Sequence, residues 1–123
     1  MPEAKLTANV RTINTQVNVI DIQGDVNTQT ENALVDAFAR ASSGDVQVVA
    51  LNFARLEYMN SSGIGLLVTL LIRAQRQQQR LVAFGLNDHY RQIFELTRLN
   101  EAITLYANEA EATAAVGTLK PQR

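Results

Sequence analysis

Apolar and polar residues alternate along LTANVRTIN, with Leu6, Ala8 and Val10 on one side, which predicts a strand with one wet face. Asn14 and Thr15 can turn the chain, and QVNVIDIQG then reads as a second strand. So short a polar link makes the two an antiparallel hairpin. Downstream the period lengthens: Ala33, Leu34, Ala37, Phe38 and Ala41 recur at helical spacing behind Thr28 or Thr30, either of which can cap a helix. Ser42-Ser43-Gly44-Asp45 stops it. Val46 to Phe53 is nearly continuous apolar and β-branched, as expected of a strand covered on both faces. After Asn60-Ser61-Ser62-Gly63 the spacing predicts a helix from about Ile64 to Gln79. LVAFGL reads as a short buried strand, and Asp88 as the cap of a helix carrying Tyr90, Ile93, Phe94 and the Leu96–Leu99 stretch. ITLYA is a last strand and the alanine-rich stretch 108–116 a last helix.

The order is therefore β-β-α-β-α-β-α-β-α. Alternation after the first hairpin demands right-handed crossovers and a mostly parallel sheet, which the antiparallel first strand makes mixed. The expected fold is a small α/β unit with about four helices. No repeat, linker or compositional break divides residues 1–123, so one domain is expected, with a core over about 5–117 and a loose tail at 118–123.

Composition narrows the chemistry. The 123 residues hold no cysteine, which excludes disulfide scaffolds, thiolate metal sites and thiol nucleophiles. One histidine, His89, cannot make a His-based metal site by itself, and no cofactor is expected. A net charge of −1 argues against a nucleic-acid footprint, which needs clustered Lys and Arg. The apolar run from Ile64 to Ile72 is about half of the ~20 residues a bilayer span requires, and MPEAKLTANV does not resemble a signal peptide. These features read as a soluble, cytoplasmic chain with no membrane insertion.

Open α/β sheets bind ligands beyond the carboxyl ends of their strands, beside helix N-termini. The loop leaving the third strand, YMNSSGIG, is the candidate. On a wheel of about 100° per residue, Ile64, Leu67, Val68 and Leu71 share an arc assigned to the core. Ser62 then falls roughly 170° from the centre of that arc and Ser61 roughly 70°, so Ser62 is expected to be exposed and Ser61 half-buried. Leu66, Leu70, Thr69 and Arg73 fall on the side of Ser62, which suggests a docking surface. A serine at a helix start is ordinarily an N-cap, and Gly63 and Gly65 can simply relax the turn. A hydrolase reading of Ser62 fails for want of a G-x-S-x-G elbow, with His89 the sole candidate base in a helix-cap stretch. GIG at 63–65, lacking a third glycine or a Walker lysine, is a weak phosphate loop. Arg73, Arg76 and Arg80, three or four apart, read as a solvated helix face.

Three segments in order carry a family resemblance. YMNSSGIGLLV at 58–68 resembles the (F/Y)-M-D-S-S/T-G-hydrophobic-G signature of STAS domains in bacterial anti-sigma-factor antagonists. FELTRLNEAITLYANEAEATAAV at 94–116 is similar to that family's helix-strand-helix ending, and GDVNTQT at 24–30 stands where the family has G-x-L/V-D. The resemblance spans about residues 5–117. It implies a regulatory binding protein, not an enzyme. Its unphosphorylated form would bind an anti-sigma factor that is also a serine kinase and so release a sigma factor. Phosphorylation of Ser62, the serine directly before Gly63 (Ser61 being the second choice), would switch it off, and a PP2C-type phosphatase would reset it. Asn27, Asn60, Ser61, Gly63, Leu66, Thr69, Leu70 and Arg73 form the expected partner-binding set. A weak homodimer is also compatible with this picture.

Three asparagines, Asn27, Asn52 and Asn60, stand where the family carries aspartate. Asparagine still accepts a hydrogen bond and caps a helix, but it cannot ionise. The alternative reading is a non-switching STAS scaffold, or an accessory subunit of a signalling or membrane-transport complex.

Overall fold

The computed structural model describes residues 5–117, so the expected tail at 118–123 lies outside the described residues. Its elements are β1 (Leu6–Asn14), β2 (Val17–Val26), α1 (Glu31–Ala41), β3 (Val48–Met59), α2 (Ser61–Arg76), β4 (Arg80–Phe84), α3 (Asp88–Leu96), a 3₁₀ turn (Leu99–Glu101), β5 (Thr104–Tyr106) and α4 (Glu109–Gly117). The strands form one sheet in chain order. β1 pairs antiparallel with β2, Leu6 opposite Gly24, and every later pair is parallel.

Strand alternation divides the apolar residues between two faces. Ile20 and Ile22 of β2, Val49, Leu51 and Phe53 of β3, and Leu81 and Ala83 of β4 meet α1, α2 and α3 in the main core. Their alternates Val17, Val19, Val48, Ala50, Val82 and Phe84 meet Ala112 and Val116 of α4 in a smaller one. On β1, Leu6, Ala8 and Val10 pack against the main core while Thr7, Asn9 and Arg11 stay exposed, so the strand has the single wet face its alternation predicts.

Several boundaries differ from expectation, each for a local reason. β3 does not stop at Phe53 but runs to Met59. β4 ends opposite Asn52, so the last seven residues of β3 pair with β2 alone, through two register shifts. This half-covered arm exposes Ala54, Arg55, Glu57 and Tyr58, and so lacks the apolar density that marks a buried strand. Gly85, at φ +84°, lets the chain leaving β4 pass beside the arm, where a Cβ would stand 2.8 Å from the Ala54 amide nitrogen. In α1, Ala33 is exposed and Leu34, Ala37, Phe38 and Ala41 make the buried stripe. Thr30 holds the N-cap position but its side chain does not cap; the hydroxyl donates to the Asp25 carbonyl at 2.7 Å and ties down the preceding loop. The cap of α3 is Asn87 rather than Asp88, its side chain accepting from the Tyr90 amide at 3.0 Å.

Next to the apolar patch that α4 covers, the face of β1–β3 is polar and held by one arginine. Arg11 donates to Asp21 through Nε and, at 2.9 Å, through Nη2, and reaches Glu109 at the start of α4 at 2.8 Å. Asn52 on β3 donates to the same Asp21 carboxylate at 2.8 Å. Four side chains thus join β1, β2, β3 and α4. The Arg11 hydrogen bond holds the Asp21 carboxyl below the usual carboxylate range, with Asn52 adding to it against partial desolvation.

A carboxylate whose folded pKa is depressed contributes stability above its unfolded pKa and loses it as pH falls through the folded value. Asp21→Asn should therefore be less stable than the parent near neutral pH, the gap closing below about pH 4. Urea midpoints across that range test this; a gap of constant size would show that the pairing is not linked to protons.

Candidate functional site

β2 and β3 end side by side, with Val26 opposite Met59, so the chain leaves both strands at one level. Asn27 and Asn60 follow. The Asn60 amide donates to the Val26 carbonyl at 3.3 Å, and its side-chain oxygen accepts from the Gly63 amide at 3.0 Å as the N-cap of α2. The Asn60 carbonyl takes the Ile64 amide at 3.0 Å. Helix therefore begins at Ser61, three residues before the expected Ile64, and ends at Arg76 rather than Gln79. No loop separates β3 from α2, because Asn60 does the turning alone. From α3, the Tyr90 hydroxyl accepts the Met59 amide at 2.9 Å and fixes the last residue of the strand.

The phase of α2 also differs from the wheel. Its buried stripe is Gly63, Leu66, Leu67, Leu70, Leu71 and Ala74. Leu66 is 6% and Leu70 0% exposed, so both belong to the core and the docking surface expected from them does not exist. Gly63, expected on the partner-facing set, is likewise buried. A Cβ there would lie 2.6 Å from the Val26 carbonyl oxygen and 2.6 Å from Met59 Cγ, and only the second could move aside. Val68, assigned to the core, is instead 38% exposed, and Ile72 is 44% exposed.

Thr69, Arg73, Ser61 and Ser62 are exposed. Both serines are therefore at the surface, whereas half-burial was expected of Ser61. Neither hydroxyl has a hydrogen-bond partner among the described residues. The two part company by direction. Ser61 shares the outer side of α2 with Val68 and Ile72. Ser62 shares a flank with Thr69 and Arg73, about 90–130° from the centre of the buried stripe. That flank faces α1 and forms a groove of about 450 Å³ with Thr28, Glu31 and Asn32. Asn27 stands half-buried beside it, its side-chain oxygen accepting from the Gln29 amide at 2.8 Å and the Thr30 amide at 3.2 Å.

This is a place where a serine hydroxyl meets solvent at the first turn of a helix, where backbone amides lack intrahelical partners and the dipole is positive. The hydroxyl is open to solvent, and no general base among the described residues is hydrogen-bonded to it. His89 lies on α3 against the ring of Tyr90, with centroids 4.8 Å apart, and no hydrogen bond joins it to either serine. Among the described residues no group of His, Asp and Glu is arranged to hold a metal ion. No helix among them is long and apolar enough to cross a membrane. The packing of Gly63, the Tyr90 hydroxyl and the α1 wall of the groove escaped the sequence reading. Of these, only Gly63 left a signal there, as a small residue at the head of the true 63-66-67-70-71-74 spacing.

A family model described as the STAS domain matches residues 8–112. The chain is 30% identical over 95 residues to the putative anti-sigma factor antagonist BtrV of Bordetella bronchiseptica, covering 76% of this chain and 80% of that one. It is 27% identical over 92 residues to an anti-sigma-B factor antagonist of Listeria monocytogenes, covering 75% and 81%. Among solved structures, an anti-sigma factor antagonist from Mycobacterium paratuberculosis superposes with a TM-score of 0.79 at 19% identity, over 92% of this chain and 95% of that one. The Bacillus cell-fate determinant SpoIIAA in its phosphorylated form gives 0.65 at 23%, over 89% and 99%. At these identities the structural likenesses speak to fold.

The two glycines of the first turns of α2 differ in what surrounds them. Gly63→Ala should destabilise by about 1–3 kcal/mol, since the Val26 carbonyl cannot retreat. Gly65→Ala, where a Cβ meets nothing within 4 Å, should stabilise by about 0.5–1 kcal/mol. Chemical denaturation of both variants tests the contrast, and equal effects would refute the assigned helix phase.

Proposed function

The chain belongs to the STAS domain family, and on that footing we propose that it is an anti-sigma-factor antagonist switched by phosphorylation of Ser62. Unmodified, it binds an anti-sigma factor that is also a serine kinase, and the sigma factor is released. The kinase then transfers the γ-phosphoryl group of ATP to Ser62 Oγ: an O–P bond forms, ADP leaves, and the hydroxyl proton goes to a base of the kinase. A PP2C-type phosphatase hydrolyses that bond and resets the protein. The protein acts in the cytoplasm, as a binding partner rather than an enzyme.

The observation that carries this reading is the Ser62 hydroxyl itself, exposed, unpartnered among the described residues, and set in the α1–α2 groove. Modifying it breaks no bond of the fold, and the helix N-terminus tolerates the charge. A phosphate adds about −1.5 to −2 to a chain whose net charge is −1. Ser61 is also exposed but lies on the outer side of α2 with Val68 and Ile72, so Ser62 is preferred. The names of the relatives support the antagonist role, and the phosphorylated form of SpoIIAA supports modification as the means.

The test is to capture binding proteins from native lysate with and without ATP, identify the anti-sigma factor, and incubate it purified with this protein and ATP. Intact mass should rise by ~80 Da in the parent and not in Ser62→Ala. Ser62→Asp should weaken binding by about 1–3 kcal/mol. A mass shift that persists in Ser62→Ala moves the site to Ser61 or elsewhere. Tight binding unaffected by either substitution would favour a constitutive subunit of a larger assembly.

A further inference from the structure

The groove beside Ser62 does not end at the first turns of the helices. Arg73 lines it at its lower end and also lines a second cavity, of about 360 Å³, with Arg76 of α2 and Phe38 and Ser42 at the end of α1. The two cavities are therefore halves of one seam between α1 and α2. Its upper half has walls of small or uncharged residues with a single acid, Glu31; its lower half presents two arginines. Neither Arg73 nor Arg76 has a carboxylate within ion-pair distance among the described residues.

Cations in the last turn of a helix favour its dipole, and that accounts for one positive charge near the end of α2. It does not account for Gly65. This glycine sits on the seam wall inside a helix, where a Cβ would meet nothing within 4 Å and no left-handed φ requires it, and it costs about 1 kcal/mol against alanine. The bare wall lets another backbone approach α2 closely.

We infer that the seam is where the anti-sigma factor lays an acidic segment, its carboxylates meeting Arg73 and Arg76 and its chain passing over Gly65 towards Ser62. This rests on the partner-binding reading given above. It also explains how a phosphate at the top of the seam would act. Ser62 and Arg73 are eleven residues apart, about 16 Å along the helix, roughly twice the screening length at physiological ionic strength. The arginines leave such a phosphate unneutralised, so it blocks and repels an acidic segment at the upper end instead of being absorbed by the lower one.

The test uses the anti-sigma factor identified by ATP-dependent capture, purified and titrated against this protein. The double variant Arg73→Glu/Arg76→Glu should weaken binding by about 30-fold or more, while the control Arg91→Glu on α3 changes it less than about 3-fold. The melting temperature of the double variant, measured alone, checks that it folds; Arg73→Gln/Arg76→Gln, expected to weaken binding by about 5- to 10-fold and to flatten its salt dependence, serves if it does not. A benzophenone side chain at Gln77, on the lower rim, should cross-link to a stretch of the anti-sigma factor carrying two or more Asp or Glu. Unchanged affinity in the arginine variants, with Ser62 still phosphorylated by the same kinase, overturns the seam and leaves the antagonist role standing. So does a cross-link to a second copy of this chain or to a basic segment. Absence of both binding and phosphorylation in the parent would sink the antagonist reading, and the seam with it.

Discussion

The close approach of α2 to the end of β2 governs the geometry of this molecule. The Val26 carbonyl accepts the Asn60 amide, and the same oxygen lies where a side chain on residue 63 would begin. Glycine at 63 lets the first turn of α2 rest on the strand end, and the Asn60 side chain locks that turn by accepting the Gly63 amide. Tyr90 of α3 holds the neighbouring strand end through the Met59 amide. With Gly63 fixed inward, residues 61 and 62 are fixed outward, because the helix rotates about 100° per residue. The exposure of both serines follows from a contact in which neither takes part.

The three asparagines at positions 27, 52 and 60 have one thing in common. Each side-chain oxygen accepts a backbone amide: Asn27 from Gln29 and Thr30, Asn52 from Ala54, Asn60 from Gly63. An aspartate could do the same at positions 27 and 60, so those turns do not depend on charge. Position 52 is different. Its amide group donates to Asp21, which Arg11 already engages, and an aspartate there would set two carboxylates together on the open face of the sheet. The neutral residue belongs to the clamp that joins β1, β2, β3 and α4.

Element order and sheet type were legible because each rests on a period that the chain states clearly. The phase of α2 was not. Ile64 to Ile72 holds seven large apolar residues in nine, enough to occupy almost every direction of a helical wheel, so several arcs fit. The decisive positions are the small ones, Gly63 and Ala74, together with the polar side chains of Ser62, Thr69, Arg73 and Arg76, which lie away from the sheet. Polar residues cannot be buried unpaired, so they constrain a helix more tightly than leucines, which are tolerated at a surface. The start of α2 was hidden by Ser61, Ser62 and Gly63, residues of low helix propensity that tertiary contact overrides. Likewise Arg55, Glu57 and Tyr58 disguised the end of β3, where cover from β4 has ceased and charge is tolerated. Arg98 lies in the left-handed region at φ 61°, and nothing in the surrounding residue types announces that conformation.

The same geometry limits what a modification at Ser62 could change. The hydroxyl makes no hydrogen bond among the described residues, the cap of its helix is supplied by Asn60, and the contact that seats the helix is made by Gly63. A phosphate there would sever none of these. It would sit at the positive end of α2, where negative charge is favoured by about 0.3–1 kcal/mol at an exposed site. Its electrostatic cost to the fold is confined to nearby acids such as Glu31 across the groove, and solvent screens that repulsion. The same backbone would therefore suit a modified and an unmodified Ser62 alike. On the proposed reading, a partner that distinguished the two would do so through the shape and charge presented between α1 and α2, and not through a rearrangement of the sheet beneath.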